Sequence, residues 1–258
     1  MSYQIRQPVE QLRPYIRHLV ISSNPMAQTY IVLPDTALVI GFQFSGSLHV
    51  ISQNTENPLA ASGVTGLLDR YRVFKNTEKT GSILIYFTEI GASNFLRIPL
   101  HELFGQSLSL EEFFSRQEIQ ETQEKLEAAQ SDTARLNILE TFLLCQLLER
   151  ERDRMIASAI EIIYQSKGTI RIAALAKHLH TSQSPLEKRF RALVGASPKK
   201  FAGIVRARHF LQALGANKQD AAEHLSAYYD QAHFIKDFKR FSSVTPEQYL
   251  KDVQTKYK

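Results

Sequence analysis

Apolar and polar positions alternate in two different ways along this chain. Between Thr29 and Phe87 apolar residues come in short runs, broken every few positions by Gly, Pro, Asp or Asn. Residues 30–33, 37–44, 48–51, 60–67, 70–75 and 82–87 read as strands. Turns are expected at Pro34-Asp35, at Ser45-Gly46-Ser47 and across 77–81, with a polar loop at 54–58. Short strands at this spacing predict a small barrel or curled sheet. Before them, residues 3–20 predict an extended piece and then a short helix over 10–19, built on Leu12, Tyr15, Ile16 and Leu19. From Gly91 the apolar period lengthens to that of a helix. Residues 117–129 and 135–150 predict amphipathic helices, with a helical turn over 111–114. The charge run Glu149-Arg150-Glu151-Arg152-Asp153-Arg154 is a solvated connection into a helix over 155–164.

Two stretches near the C-terminus share one pattern. Residues 170–190 and 221–241 each show a short apolar-periodic helix, a brief polar turn and a second helix rich in Lys and Arg. In the first, Ile172, Leu175, Ala176 and Leu179 make one apolar face. Ser182 is placed to cap a new helix, and Pro185 is tolerated in its first turn because no needed N–H is lost. Leu186, Phe190 and Leu193 carry that helix's apolar face. In the second, Asp230 is the expected cap, and Phe234, Phe238 and Phe241 are the expected core. A repeated helix, turn and basic helix suits a duplicated helix-turn-helix, whose second helix enters the DNA major groove.

These segments resemble the AraC-type DNA-binding domain of bacterial transcription regulators. The matching residues are Ser182-Gln183-Ser184-Pro185-Leu186-Glu187-Lys188-Arg189-Phe190 with Val194-Gly195-Ala196-Ser197-Pro198, and Tyr228-Tyr229-Asp230-Gln231-Ala232-His233-Phe234-Ile235-Lys236-Asp237-Phe238-Lys239-Arg240-Phe241 with Val244-Thr245-Pro246. The resemblance implies a long helix joining the two motifs, which residues 201–214 fit, with Arg206 and Arg208 on it. It implies DNA contacts from Ser184, Glu187, Lys188 and Arg191 on the first recognition helix. On the second it implies contacts from Gln231, Ala232, His233, Lys236 and Lys239. Glu223 and Ala227 stand where the family carries a small residue and a glycine, so a modified turn is expected there. Leu12-Arg13-Pro14-Tyr15-Ile16, Leu33-Pro34-Asp35 and Pro99-Leu100-His101-Glu102-Leu103 resemble the sensor-type domain found before some AraC-type motifs.

Charge follows the same division. Residues 153–258 carry 18 Lys+Arg against 9 Asp+Glu, a net of +9; residues 1–152 carry 13 against 17, a net of −4. A basic half suits a polyanion, whose phosphates drive affinity when neutralised. The expectation is an α+β chain. Its β-rich, barrel-like part with flanking helices spans 1–152, for an effector or self-association. An all-α part of two helix-turn-helix motifs joined by a long helix spans 153–258.

Other chemistry is thin. His18, His49 and His101 lack metal-ligand spacing, and His178, His180, His209 and His224 read as turn, packing or surface residues. No nucleophile elbow, P-loop or dinucleotide fingerprint occurs, so no catalytic residue, metal or cofactor is expected. The single Cys145 excludes an internal disulfide and, lying in an apolar run, reads as a buried thiol of a cytoplasmic protein. No apolar run approaches the length of a membrane span. The expected partners are double-stranded DNA, a small-molecule effector and RNA polymerase, with the chain a monomer or homodimer. Any effector is expected inside the β-rich part, against residues 37–44 and 83–87. The alternative reading is a small-molecule-binding or protein-interaction module with a degenerate helix-turn-helix part.

Overall fold

The computed structural model of the chain describes residues 2–52, 55–216, 231–246 and 248–249. Among these residues ten strands form two antiparallel sheets. They are β1 (Ser2–Arg6), β2 (Ile16–Asn24), β3 (Gln28–Val32), β4 (Val39–Ser45), β5 (Leu48–Ser52), β6 (Thr55–Pro58), β7 (Ser62–Thr65), β8 (Arg72–Asn76), β9 (Thr80–Phe87) and β10 (Ser107–Ser109). One sheet runs β1-β2-β9-β4-β7-β10, and the other β3-β8-β5-β6. The barrel-like part is thus built of two facing sheets that do not close into one.

The central strands β4 and β9 of the larger sheet are covered on both faces, and strict alternation sorts their side chains. Ile40 and Phe42 of β4, with Ile83, Ile85 and Phe87 of β9, pack against helices. Their neighbours Val39, Gly41 and Gln43, with Ser82, Leu84 and Tyr86, face the second sheet. The helices on the first face are α1 (Arg116–Ala128) and α2 (Asp132–Gln146). They contribute Ile119, Leu126, Leu139, Phe142 and Leu143 to the core. Phe142 meets Phe42 edge-on at 5.8 Å between ring centres.

Three sequence expectations fail here. The helix over 10–19 is a single 3-10 turn, Glu10–Leu12, followed by strand β2. Arg17 is an extra residue in the β2–β9 ladder, since Ile16 pairs with Phe87 and His18 with Tyr86. That bulge puts buried Ile16 and Leu19 three positions apart, which imitates helical spacing. The loop over 54–58 contains β6, an edge strand whose four residues are all exposed. Cys145 is exposed, not buried.

Among the described residues no strand lies beyond Ser109. The helices that follow are α3 (Arg154–Gln165), α4 (Ile172–His178), α5 (Gln183–Val194), α6 (Pro198–Ala216) and α7 (Gln231–Ser242). Ile156, Ile160 and Ile163 of α3, Leu175 of α4, Leu186 and Phe190 of α5 and Phe201 of α6 share a second core. Leu67 from the strand region is buried in the same core, and Ile90 and Phe104 pack on it. No helix among the described residues is long and apolar enough to cross a membrane.

Candidate nucleic-acid interface and interior cavity

Helix α5 is amphipathic for a local reason. Ser182 holds extended geometry at its N-cap, though its hydroxyl makes no cap hydrogen bond. Gly195 closes the helix with φ of 93°, a left-handed conformation that suits glycine. Leu186, Phe190 and Val194 are buried, while Ser184, Glu187, Lys188 and Arg191 are exposed. The structure thus brings these four side chains to one open surface. Glu187 and Arg191 lie 3.9 Å apart, one helical turn from each other. Arg189 points elsewhere: it pairs at 2.5 Å with Asp153, which also caps α3 by accepting from the Ile156 N–H.

Long helix α6 supports both α5 and α7 through two phenylalanines. Phe201 meets Phe190 of α5 edge-on at 5.5 Å. Phe210 meets Phe238 of α7 edge-on at 5.2 Å. Buried Phe238 and Phe241 hold the inner face of α7, and Lys236 and Lys239 are exposed on it. Gln231, Ala232 and His233 lie in the first turn of α7, but their side chains, like that of Phe234, fall outside the described residues. Glu223, His224, Ala227 and Asp230 fall outside them entirely.

Two carboxylates, Asp35 and Asp69, tie the basic helices to the strand-rich half. Asp35 accepts from Arg17 at 3.1 Å and from Arg208 of α6. Asp69 accepts from Arg240 of α7 at 2.5 Å and lies 3.4 Å from Lys200 of α6. The Lys200 ammonium also sits 3.9 Å from the centre of the Phe104 ring. Burial opposes ionisation of Asp35. Arg208 and Arg17, with N–H donors, outweigh it and hold the carboxyl below the usual range. Asp69 behaves alike: burial raises it, and Arg240 and Lys200 pull it lower still. Beside them, the Tyr164 hydroxyl donates to Glu89 at 2.6 Å and lies 2.8 Å from the Thr36 hydroxyl. Burial and the Glu89 carboxylate push its pKa up. The uneven charge of the two halves was a sequence signal for these pairs, though not for which residues pair.

Between the two sheets lies a cavity of about 730 Å³. Alternate residues of β4 and β9 form one wall, and Tyr30, Leu48 and Phe74 belong to the other. His18 stacks on Tyr86 at 4.7 Å within it. His49 lies instead beside Glu56 at 3.3 Å, and His101 is elsewhere with its Nδ1 buried.

Residues 175–252 match the family described as helix-turn-helix domain. These residues carry a helix-turn-helix domain of the AraC type. A helix-turn-helix is a DNA-binding motif whose second helix enters the major groove. Residues 4–109 match a second family, a domain of unknown function numbered DUF6597. No curated protein matches the chain. Among solved structures it is similar to an apo variant of ToxT from Vibrio cholerae, at 17% identity and a TM-score of 0.45, over 90% of this chain and 96% of that one. ToxT bound to an unsaturated fatty acid matches at 15% identity and a TM-score of 0.43, over 97% and 95%. The AraC-like transcriptional activator CuxR matches at 14% and 0.30, over 86% and 89%.

Proposed function

We propose that the chain is a sequence-specific transcription regulator that responds to a small molecule. In this reading residues 153–258 bind DNA and residues 1–152 hold the effector in the cavity between the sheets. The observation that carries the DNA half is α5: a buried Leu186, Phe190 and Val194 face, backed by Phe201, against an exposed strip of Ser184, Glu187, Lys188 and Arg191. A recognition helix needs this division, because its inner face must be held rigid while its outer side chains reach base edges. Helix α7 is the second reader in this reading, Gln231, Ala232, His233 and Lys236 being assigned to base contacts and Lys239 to phosphate by their places in the matching motif. A glutamine pairs with adenine through two hydrogen bonds, a glutamate accepts from cytosine, and Ala232 offers a methyl contact to thymine. Lys188 and Arg191 add charge against the backbone.

The test begins with a randomised duplex pool and the purified chain. Repeated rounds of capture should enrich one shared sequence whose length spans two successive major grooves. Recovery of duplexes with no common sequence would leave a basic helical module without a reader, and the proposal would fall.

A further inference from the structure

We propose that the cavity between the sheets takes an uncharged, mainly apolar ligand with one hydrogen-bonding end, and discriminates against carboxylates. This rests on the reading of that cavity as the effector site. Its walls are mostly aliphatic and aromatic, with Val20, Val39, Leu48, Phe74 and Leu84 among them. None of the described lining residues is a lysine or an arginine. An anion entering an apolar cavity sheds its hydration, and without a facing cation nothing offsets that loss.

The aromatic polar groups His18, Tyr86 and Tyr30 gather around Asp35, while the small polar residues Ser22, Asn24, Gln43 and Ser82 lie farther along the same strands. His18 and Tyr86 both feel the Asp35 charge, and Tyr86 also feels Tyr30. Asp35 is the single carboxylate on the described walls, and its oxygens are already committed. They accept from Arg17, Arg208 and the N–H groups of Thr36 and Ala37. A ligand amine would therefore have to displace guanidinium groups. Nor is there a free positive field around Asp35, because Arg17 is also paired with Glu89 at 2.7 Å. Two guanidinium charges meet two carboxylates. Arg72 reaches the rim through the Ser107 hydroxyl, which it bonds together with the Gly105 carbonyl, but it is not part of the wall.

What remains for a ligand is neutral hydrogen bonding. The Tyr30 and Tyr86 hydroxyls and the His18 ring have no hydrogen-bond partner among the described residues. Burial raises both phenols, so they stay protonated donors. Burial, and then Arg17, lower His18, so its imidazole is neutral near pH 7 and can accept as well as donate. Two phenols and a neutral imidazole over an apolar chamber fit an alcohol, ketone or amide on a hydrocarbon body.

Three probes of equal chain length separate the cases: 1-decanol, decanoate and decylammonium, each titrated calorimetrically into the full chain at neutral pH. Decanol should bind at least about tenfold more tightly than either ion. Tyr86→Phe, which keeps the ring and removes the hydroxyl, should weaken decanol by about three- to tenfold. Val39→Phe, which fills the chamber, should abolish the binding, and a retained far-ultraviolet dichroism spectrum shows that each variant folds. Decanoate or decylammonium binding as tightly as decanol would overturn the ligand class and leave the effector site standing. No binding by any probe, with Val39→Phe indistinguishable from the parent, would overturn the effector site as well.

Discussion

At Asp35 one carboxylate serves guanidinium groups from opposite ends of the chain, Arg17 on β2 and Arg208 on α6. Removing its charge leaves both cations with less compensation. Asp35→Asn should cost about 1–3 kcal/mol, read by chemical denaturation near pH 7. The pH dependence follows from the sign of the shift. The folded carboxyl titrates below the unfolded one, so its stabilisation is complete above about pH 4 and is lost as pH falls through the folded value. The Asn variant should lack that part of the acid limb, and an unchanged limb would mean that Asp35 is not its source. Two glycines provide a second check. Gly168 holds φ of 74°, and a Cβ there would lie 2.2 Å from the Ala202 carbonyl oxygen. At Gly195, φ is 93° but the nearest atom, the Leu100 carbonyl oxygen, is 3.3 Å away. Gly195→Ala should cost about 1–2 kcal/mol from the backbone alone. Gly168→Ala should cost more, since carbonyl and helix backbone cannot yield cheaply; equal melting midpoints would contradict this.

Among the elements, α5 separates fold from function most sharply. Phe190→Ala opens a void against Phe201 and should cost roughly 3–5 kcal/mol. Glu187→Ala, on the exposed face, should stay within about 0.5 kcal/mol of the parent in the same denaturation curve. This face was legible beforehand, because Leu186, Phe190 and their polar neighbours keep a strict helical period. Residues 37–44 and 82–87 were legible as strands for a different reason, being continuous apolar runs in a sheet covered on both sides. Other elements hid behind local geometry. The bulge at Arg17 gave β2 a helical rhythm. Strand β6 is held by backbone pairing with β5 and buries no side chain, so it left no apolar signal. Phe142 to Cys145 are four consecutive apolar residues, which a helix spreads around its axis. Leu144 and Cys145 therefore end up outside while Phe142 and Leu143 are buried.

For the whole molecule, the two halves are joined by a shared core and by charge. Leu67, Ile90 and Phe104 enter the helical core, Leu33 packs beside Ile204 and Phe241, and Asp69 holds Lys200 and Arg240. None of these long-range pairs has a local sequence mark. The basic excess beyond residue 152 does, and it should show as salt-sensitive DNA binding. Arg191→Ala and Lys239→Ala should each weaken binding to every duplex and reduce the slope of log affinity against log salt by about one. A slope unchanged in both variants would remove these side chains from the phosphate contacts. The central claim is that α5 and α7 read bases. Its most direct measurement is the ratio of affinities for the selected duplex and a scrambled one, at several salt concentrations, for the parent, Glu187→Ala and Gln231→Ala. Each substitution should lower that ratio by about 1–3 kcal/mol at one base position while the salt slope stays the same. A ratio that neither substitution alters would contradict the claim.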